Sequence, residues 1–463
     1  MSANRKDIPG MFAGPVLPVA VKIGTPIFIG LILQFFYMVV DTIFITRIDP
    51  ASTALISGTS LMFPIFFIFM SIGQSMSIGM GTNVGHAIGE RNFDKVKIIV
   101  ASGIMVALVI GIPTIIVGYG FSQWLVNAIS GDKLTAEAIQ SGLAYLYFLL
   151  PGLALMLVSQ VFFGLLQGEG LTKYIARAMM LSTVFNIVLD PVFIFVLNMG
   201  VAGAAFATTI SVSITLVYVV MVIARGATSA PISFNPFLSN LAIAVNIVRI
   251  GSPHMLSMAS LSISIMFFNK LVSGIGQVEM TAWGLVGRMD HVVLMPSFAV
   301  AATVITMVSQ NFGRKNYDRV RHIYIKCLML AFSLVGGAAL VYMLSAPALF
   351  ALLSSVNEVV RLATYQVRLL SLTFLGVSAA IVSSAVFQAT GKPLPAVIIV
   401  VVRMFVVAVP LSYLLILVFD MGMNGLFIAL AVSNLGAIPG SAGWCLYHIN
   451  KIRRREASSV SPE

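Results

Sequence analysis

Apolar residues in this chain come in unbroken blocks of about 20 or more, each closed by a short stretch rich in Gly, Pro, Asn or basic residues. A helix of that length crosses roughly 30 Å of hydrocarbon at about 1.5 Å per residue. Only helices and closed barrels satisfy every backbone N–H and C=O inside a membrane, and barrel strands would alternate over roughly ten residues instead. The pattern therefore predicts an all-α polytopic membrane protein of about 12 spans. Their bounds are roughly 17–46, 53–80, 97–120, 136–163, 173–197, 201–224, 247–273, 279–308, 322–345, 359–385, 394–419 and 424–448. The longest polar connection, 225–246, holds Arg225, Pro231, Asn235 and Pro236. The expected organisation is an N-terminal six-span lobe (1–228), a cytoplasmic linker (229–246), a C-terminal six-span lobe (247–450) and a basic tail (451–463).

Composition agrees. Of 463 residues 59% are hydrophobic and 9% charged, with a mean hydropathy of +1.01. A soluble domain carries about 25% charged residues, so this chain could not cover its surface in water. The net charge of +11 does not point to nucleic acid, because Lys and Arg sit in short loops. One set of loops holds Arg91, Lys95 and Lys97, then Lys173 and Arg177, then Arg314, Lys315, Arg319 and Arg321, while the opposite set holds little beyond Arg47, Lys133 and Arg361. The positive-inside rule then places both termini in the cytoplasm, in keeping with an even number of spans. Cys327 and Cys445 have no metal or redox spacing, and no disulfide is expected. Arg5, Lys6, Pro15 and Pro18 lead directly into a full-length span, a layout unlike a cleavable signal.

The halves repeat. Gly89-Glu90-Arg91-Asn92-Phe93-Asp94-Lys95-Val96-Lys97 aligns without gaps to Gly313-Arg314-Lys315-Asn316-Tyr317-Asp318-Arg319-Val320-Arg321. Lys22-Ile23-Gly24-Thr25-Pro26 matches Arg249-Ile250-Gly251-Ser252-Pro253, and Met199-Gly200-Val201-Ala202-Gly203 matches Met421-Gly422-Met423-Asn424-Gly425. Six spans per repeat make the repeats parallel, related by a pseudo-twofold axis along the membrane normal, with a substrate cavity expected between the lobes.

An ionisable residue inside a span costs about 2.5–3.5 kcal/mol on insertion scales, so each one asks for a reason. Asp41 is expected about 8 Å from the outer end of span one, and Asp190 about 10 Å from that of span five. Asn186 shares the face of Asp190, four residues away, and Thr208, Thr209 and Tyr145 reach a similar level on spans six and four. Hard cations want oxygen ligands, and two carboxylates in one dry pocket tend to hold a proton. The set is thus a candidate sodium site, a proton site, or both in competition; a plainer alternative leaves Asp41 hydrated near the interface and Asp190 capping a bent helix. Pro26 and Pro191 remove backbone donors within spans one and five and are expected to bend them, which makes a charge-dependent bend conceivable. Gln34 and Tyr37 stand between Pro26 and Asp41 and are candidates to line a cavity.

The second half differs. Arg288, Asp290 and His291 lie in span eight, Arg368 in span ten and Arg403 in span eleven. Two readings stand: a buried ion-pair network that fixes packing, or direct substrate contact, for which Arg288 and Arg368 are the candidates. Lys270 is expected to snorkel. The 25 Met and 31 Phe suit an adaptable cavity and equally suit ordinary membrane core.

These residues resemble the multidrug and toxic compound extrusion (MATE) family across essentially the whole chain. The likeness rests on twelve spans in two lobes, the repeated Gly-x-x-Asn-[Phe/Tyr]-Asp-[Lys/Arg] loop, Asn186-Ile187-Val188-Leu189-Asp190-Pro191 and Gln167-Gly168-Glu169-Gly170. The resemblance implies a non-enzymatic antiporter of alternating access that exports small organic, drug-like molecules in exchange for sodium or protons. It needs no cofactor beyond that ion, and is expected as a monomer in a bacterial or archaeal cytoplasmic membrane. In the prokaryotic branch related to the DNA-damage-inducible protein F, the implied cation ligands fall here on Asp41, Asn186, Asp190 and Thr208, with Tyr145 beside them. Another branch uses a glutamate on span seven and an aspartate on span ten; Asn269, Lys270 and Arg368 depart from that pattern. The nearest rival is a lipid-linked saccharide flippase of the same superfamily, kept alive by Arg288, Arg368 and Arg403. A membrane-embedded enzyme is disfavoured because the five histidines are scattered and no HExxH, nucleophile elbow or phosphate loop appears.

Overall fold

The computed structural model describes residues 10–48, 54–129, 135–229, 232–233 and 235–460. The first six spans are α1 (Val16–Thr46), α2 (Ala54–Gly89), α3 (Phe93–Ile129), α4 (Ala136–Glu169), α5 (Thr172–Pro191) and α6 (Val201–Ala224). Spans seven to nine are α7 (Leu241–Ile275), α8 (Gln277–Gly313) and α9 (Tyr317–Leu353). Span ten joins α10 (Asn357–Leu370) to α11 (Phe374–Ala389) through a 3₁₀ turn. Span eleven comprises α12 (Leu394–Val401) and α13 (Val409–Tyr413), and span twelve α14 (Gly422–Ala437) and α15 (Gly443–Val460), with π-helical turns between and after them. Twelve stretches of the described residues are long and apolar enough to cross a membrane.

The backbone repeats as the sequence does. Arg91 and Lys315 both adopt φ +59°, closing α2 and α8 in the left-handed conformation, while Asn92 N–H reaches back to Ala87 O at 2.8 Å and Asn316 N–H to Asn311 O at 2.9 Å. The same asparagines then cap the next helices, accepting from Lys95 N–H at 3.0 Å and Arg319 N–H at 3.3 Å, with Asp94 and Asp318 in the first turns where the helix dipole favours them. This explains the Asn-x-Asp spacing of the repeated loop. At the other end, π turns close spans five (Val192–Val196) and eleven (Leu414–Val418), followed by left-handed Asn198 and Asp420 and then Gly200 and Gly422.

Contacts divide the chain into two compact units that differ from the predicted lobes. The first holds Thr25–Ser252; the second holds the described residues up to Gly24 together with Pro253 onward. Both divisions fall within the repeated Gly-[Thr/Ser]-Pro motif, between Gly24 and Thr25 and between Ser252 and Pro253. The first unit therefore includes the start of α7: Asn246 Nδ2 donates to Asn83 Oδ1 at 2.8 Å, Asn240 N–H to Ser102 Oγ at 3.0 Å, and Gly251 lies against the Ser75 backbone. The second includes the start of α1 and the segment before it. There Arg319 donates to Gly14 O at 2.6 Å and Gly10 O at 2.8 Å, Asn311 to Met11 O at 3.1 Å, and the Arg314 guanidinium lies 3.4 Å above the Phe12 ring.

Two further boundaries move. Leu241–Asn246, predicted as linker, already belong to α7, whose start Asn240 caps by accepting from Ala242 N–H at 2.9 Å. The tail from Lys451 continues α15 to Val460 and is tied down by Arg453 Nε, 2.9 Å from Asp318 Oδ1. In both cases side-chain capping or charge sustains a helix that hydropathy does not see.

Within the first unit the core is built on α2, α3 and α4, from Met80, Val84, Val100, Leu157, Val161 and Leu165 among others. Gly168 lets α4 approach α2 closely: a Cβ there would lie 2.7 Å from Gly81 O and 2.8 Å from Val84 Cβ. This packing seats α4 beside α6, where Thr209 donates to Phe148 O at 2.6 Å. The facing side of α6 is thereby presented towards α5 and α1.

Candidate functional site

In the first unit α1, α5 and α6 bring four polar side chains into direct hydrogen-bond contact. Tyr37 Oη lies 3.1 Å from Thr208 Oγ1. Asn186 Nδ2 donates to Thr208 Oγ1 at 3.4 Å and to Asp190 Oδ1 at 3.3 Å. Thr208 Oγ1 itself donates to Ala204 O at 3.1 Å, one turn back, as a helical threonine commonly does. Asn186, Asp190 and Thr208 are buried, Asp190 completely. Asp41 is within electrostatic reach of Asp190 and of the Tyr37 and Tyr145 hydroxyls.

The accounting of lone pairs decides what the cluster can do. Asp41 Oδ1, Asn186 Oδ1 and Asp190 Oδ2 are each buried without a hydrogen-bond partner. All three are acceptors, and buried polar atoms are normally paired. The amide donor of Asn186 is already spent twice, and the Thr208 proton goes to Ala204. The cluster lacks positive charge or protons, and a sodium ion or one or two protons would supply what is missing. Thr208 is less ready: its oxygen already receives Asn186 and Tyr37, so it can ligate a cation only if one of them turns away.

The predicted residues therefore divide. Asp41, Asn186, Asp190 and Thr208 gather on one side of the unit, with Tyr145 close by. Tyr37, expected only as a cavity residue, joins the cluster; its spacing of four from Asp41 places both on one face of α1 and was the available signal. Thr209 turns away to α4. Gln34 also points elsewhere, its Nε2 3.9 Å from Met70 Sδ. Pro26 lies inside an unbroken α1, the second residue after the unit boundary, and Pro191 ends α5 where the π turn begins.

The second unit has no such acceptor cluster among its described residues. The ion-pair network weighed for it does not form: none of Arg288, Arg368 and Arg403 has a carboxylate partner. Arg403 Nη1 instead donates to Asn434 Oδ1 at 2.9 Å, and Asn434 Nδ2 to Thr373 Oγ1 at 3.0 Å, linking spans eleven, twelve and ten through neutral groups. Asn269 accepts from Trp283 Nε1 at 2.9 Å. Arg288 and Arg368 are exposed, Asp290 half-buried near Tyr342.

Comparison with known proteins bears on the whole fold. The MatE family model matches twice, over residues 26–192 and 253–414, so each match begins at the proline of the repeated Gly-[Thr/Ser]-Pro motif, within one residue of a unit boundary. The chain is 24% identical over 439 residues to the FAD transporter of Shewanella oneidensis, covering 93% of this chain and 94% of that one. It is 22% identical over 402 residues to the multidrug export protein MepA of Staphylococcus saprophyticus, covering 87% and 86%. A solved outward-facing multidrug resistance MATE family transporter superposes with a TM-score of 0.90 at 23% identity, over 97% of this chain and 99% of that one. Two matches to one family model, together spanning most of the chain, place it: the protein belongs to the MatE family and is a multi-pass membrane transporter, not an enzyme.

Proposed function

We propose that the protein exports small organic compounds by cation-coupled antiport, with Asp41, Asn186, Asp190 and Thr208 holding the coupling sodium or proton. The observation that carries this reading is the set of three buried, donor-less oxygens from α1 and α5. The cation enters from the outer face and satisfies those oxygens. Neutralising Asp41 and Asp190 together draws α1 and α5 towards one arrangement, with Pro26 and Pro191 giving each helix a place to bend. Cargo is released outward in that arrangement, and the cation leaves inward when the protein switches to accept new cargo. Antiport needs only that cation and cargo favour different states of the protein. Both termini lie in the cytoplasm of a bacterial or archaeal cell, and one chain is the transporting unit.

Relatives named for drug export and for FAD support a cargo class wider than one compound. The test is efflux of a fluorescent cationic dye from whole cells, with sodium and proton gradients collapsed separately. Efflux should fall to background when the coupling gradient is removed, and in Asp41→Asn and Asp190→Asn variants present in the membrane at normal level. Undiminished efflux by both variants would defeat the proposal.

A further inference from the structure

The face of α10 that turns away from the core of the second unit is polar from the first residue of span ten, Asn357, to Arg368 further in. Asn357, Arg361, Thr364, Tyr365 and Arg368 recur at helical spacing, while Val359, Ala363, Val367 and Leu370 pack inward. Arg368 lies about 16 Å along the helix from Asn357, far from the end of the span. An arginine exposed at that depth is costly against lipid and belongs beside water or a ligand.

The face lines an open groove of about 490 Å³, bounded by Pro347 of α9 and by Asn357, Val360, Arg361, Thr364, Tyr365 and Arg368. Thr364 is 8% exposed, and its hydroxyl has no partner. Arg368 has no ion pair, and Arg361 only a 4.0 Å contact with exposed Glu358. The groove thus offers two guanidinium groups with no carboxylate among its lining residues, and the unpaired Thr364 hydroxyl lies buried beneath its wall. Arg403, itself without a counter-ion, adds positive charge to the same unit.

We propose that this face of α10 is an anion subsite on the cargo path, taking the phosphate or carboxylate group of an organic anion. Guanidinium forks match such groups with paired, charge-assisted hydrogen bonds. Arg361 and Arg368 are about 10 Å apart along the helix, close enough for two long side chains to converge on one group between them. The exposed Tyr365 ring offers a flat surface for the apolar or aromatic body attached to it. The assignment rests on the export reading and adds a class of cargo to it.

A matched pair of probes tests it: flavin mononucleotide and riboflavin share a ring and differ by one phosphate. Binding is followed by flavin fluorescence to the full chain in phosphatidylcholine nanodiscs. The phosphorylated probe should bind at least about ten-fold more tightly, a preference that weakens as salt rises. Arg368→Gln and Arg361→Gln should each cut the preference to under about three-fold, and Arg368→Lys, which keeps charge but loses the fork, should fall between. Equal binding of the two probes, no binding of either, or a preference untouched in both glutamine variants would overturn the assignment. So would loss of the preference on adding phosphatidylglycerol, because the cavity would then belong to a lipid headgroup. Binding needs no ion gradient, so dye efflux judges the export reading separately.

Discussion

The two units are built on one backbone repeat and carry opposite chemistry. Left-handed Arg91 and Lys315, capping Asn92 and Asn316, and paired π turns at Val192–Val196 and Leu414–Val418 recur in register. The spacing of 222 that relates Asn198 to Asp420 sets Ser412 where the first unit has buried Asp190. The first unit thus buries carboxylates short of donors; the second holds arginines short of acceptors. Duplicated helices can keep their packing while the ionisable positions, which contribute little to it, diverge to different ligands. In the proposed reading a cation site and an anion site arise from one scaffold, and neither requires a partner residue from its repeat.

The strongest challenge to this contrast is charge removal in the first unit. Asp190→Asn keeps shape and burial, yet gradient-driven efflux from proteoliposomes should drop by about 100-fold or to background, because a buried amide cannot exchange a cation. Next comes a paired packing test. Gly152 and Gly376 are related by the repeat; a Cβ at Gly376 would run into the Asn434 carbonyl, whereas at Gly152 it would meet Thr209 Oγ1 at 2.5 Å. Gly376→Ala should cost about 3 kcal/mol or more in detergent unfolding and Gly152→Ala about 1–3, since a side-chain hydroxyl yields more readily than a helix backbone. Equal, small losses would mean that the repeats are looser than the contacts imply. Tyr37→Phe removes one hydroxyl from Thr208 and frees that oxygen for a cation. Apparent coupling-ion affinity should shift by about three- to ten-fold, with maximal rate largely kept, as read from efflux against ion concentration. Smallest, Asn198→Gly and Asp420→Gly should each raise stability by up to about 1 kcal/mol, because both hold φ near +50°. A response at only one would break the equivalence of the two loops.

Much of this was legible in the chain before any coordinates. Continuous apolar blocks demand helices, so the twelve spans and the repeat could be read directly, as could the Asp41, Asn186 and Asp190 set, because ionisable residues in such blocks stand out. Hydropathy carries no record of which neighbour a helix touches. That is why it does not show that the early turns of α1 and α7 each pack with the other half of the chain: their contacts depend on small residues such as Gly251 and on side chains such as Asn246. The pairing of Tyr37 with Thr208 and the turning away of Thr209 depend on rotation about α1 and α6, which apolar all-round helices leave unmarked. Span ten is the exception. Its Arg361, Thr364, Tyr365 and Arg368 repeat at helical spacing, but Arg361 reads as a loop residue and Arg368 was set beside Arg288 and Arg403, so the face they form was missed.

The contrast between the units is tested most directly by comparing Asp190→Asn with Asp290→Asn, a fully buried acid of the first unit and a half-buried acid of the second. Each variant and the parent protein would be reconstituted, and cargo efflux measured with sodium and proton gradients imposed independently. The account predicts that Asp190→Asn abolishes the response to the coupling gradient while Asp290→Asn retains it within about two-fold of the parent, since exposed or half-buried acids without cation partners contribute little. A gradient response that survives Asp190→Asn, or one that disappears with Asp290→Asn, would contradict it.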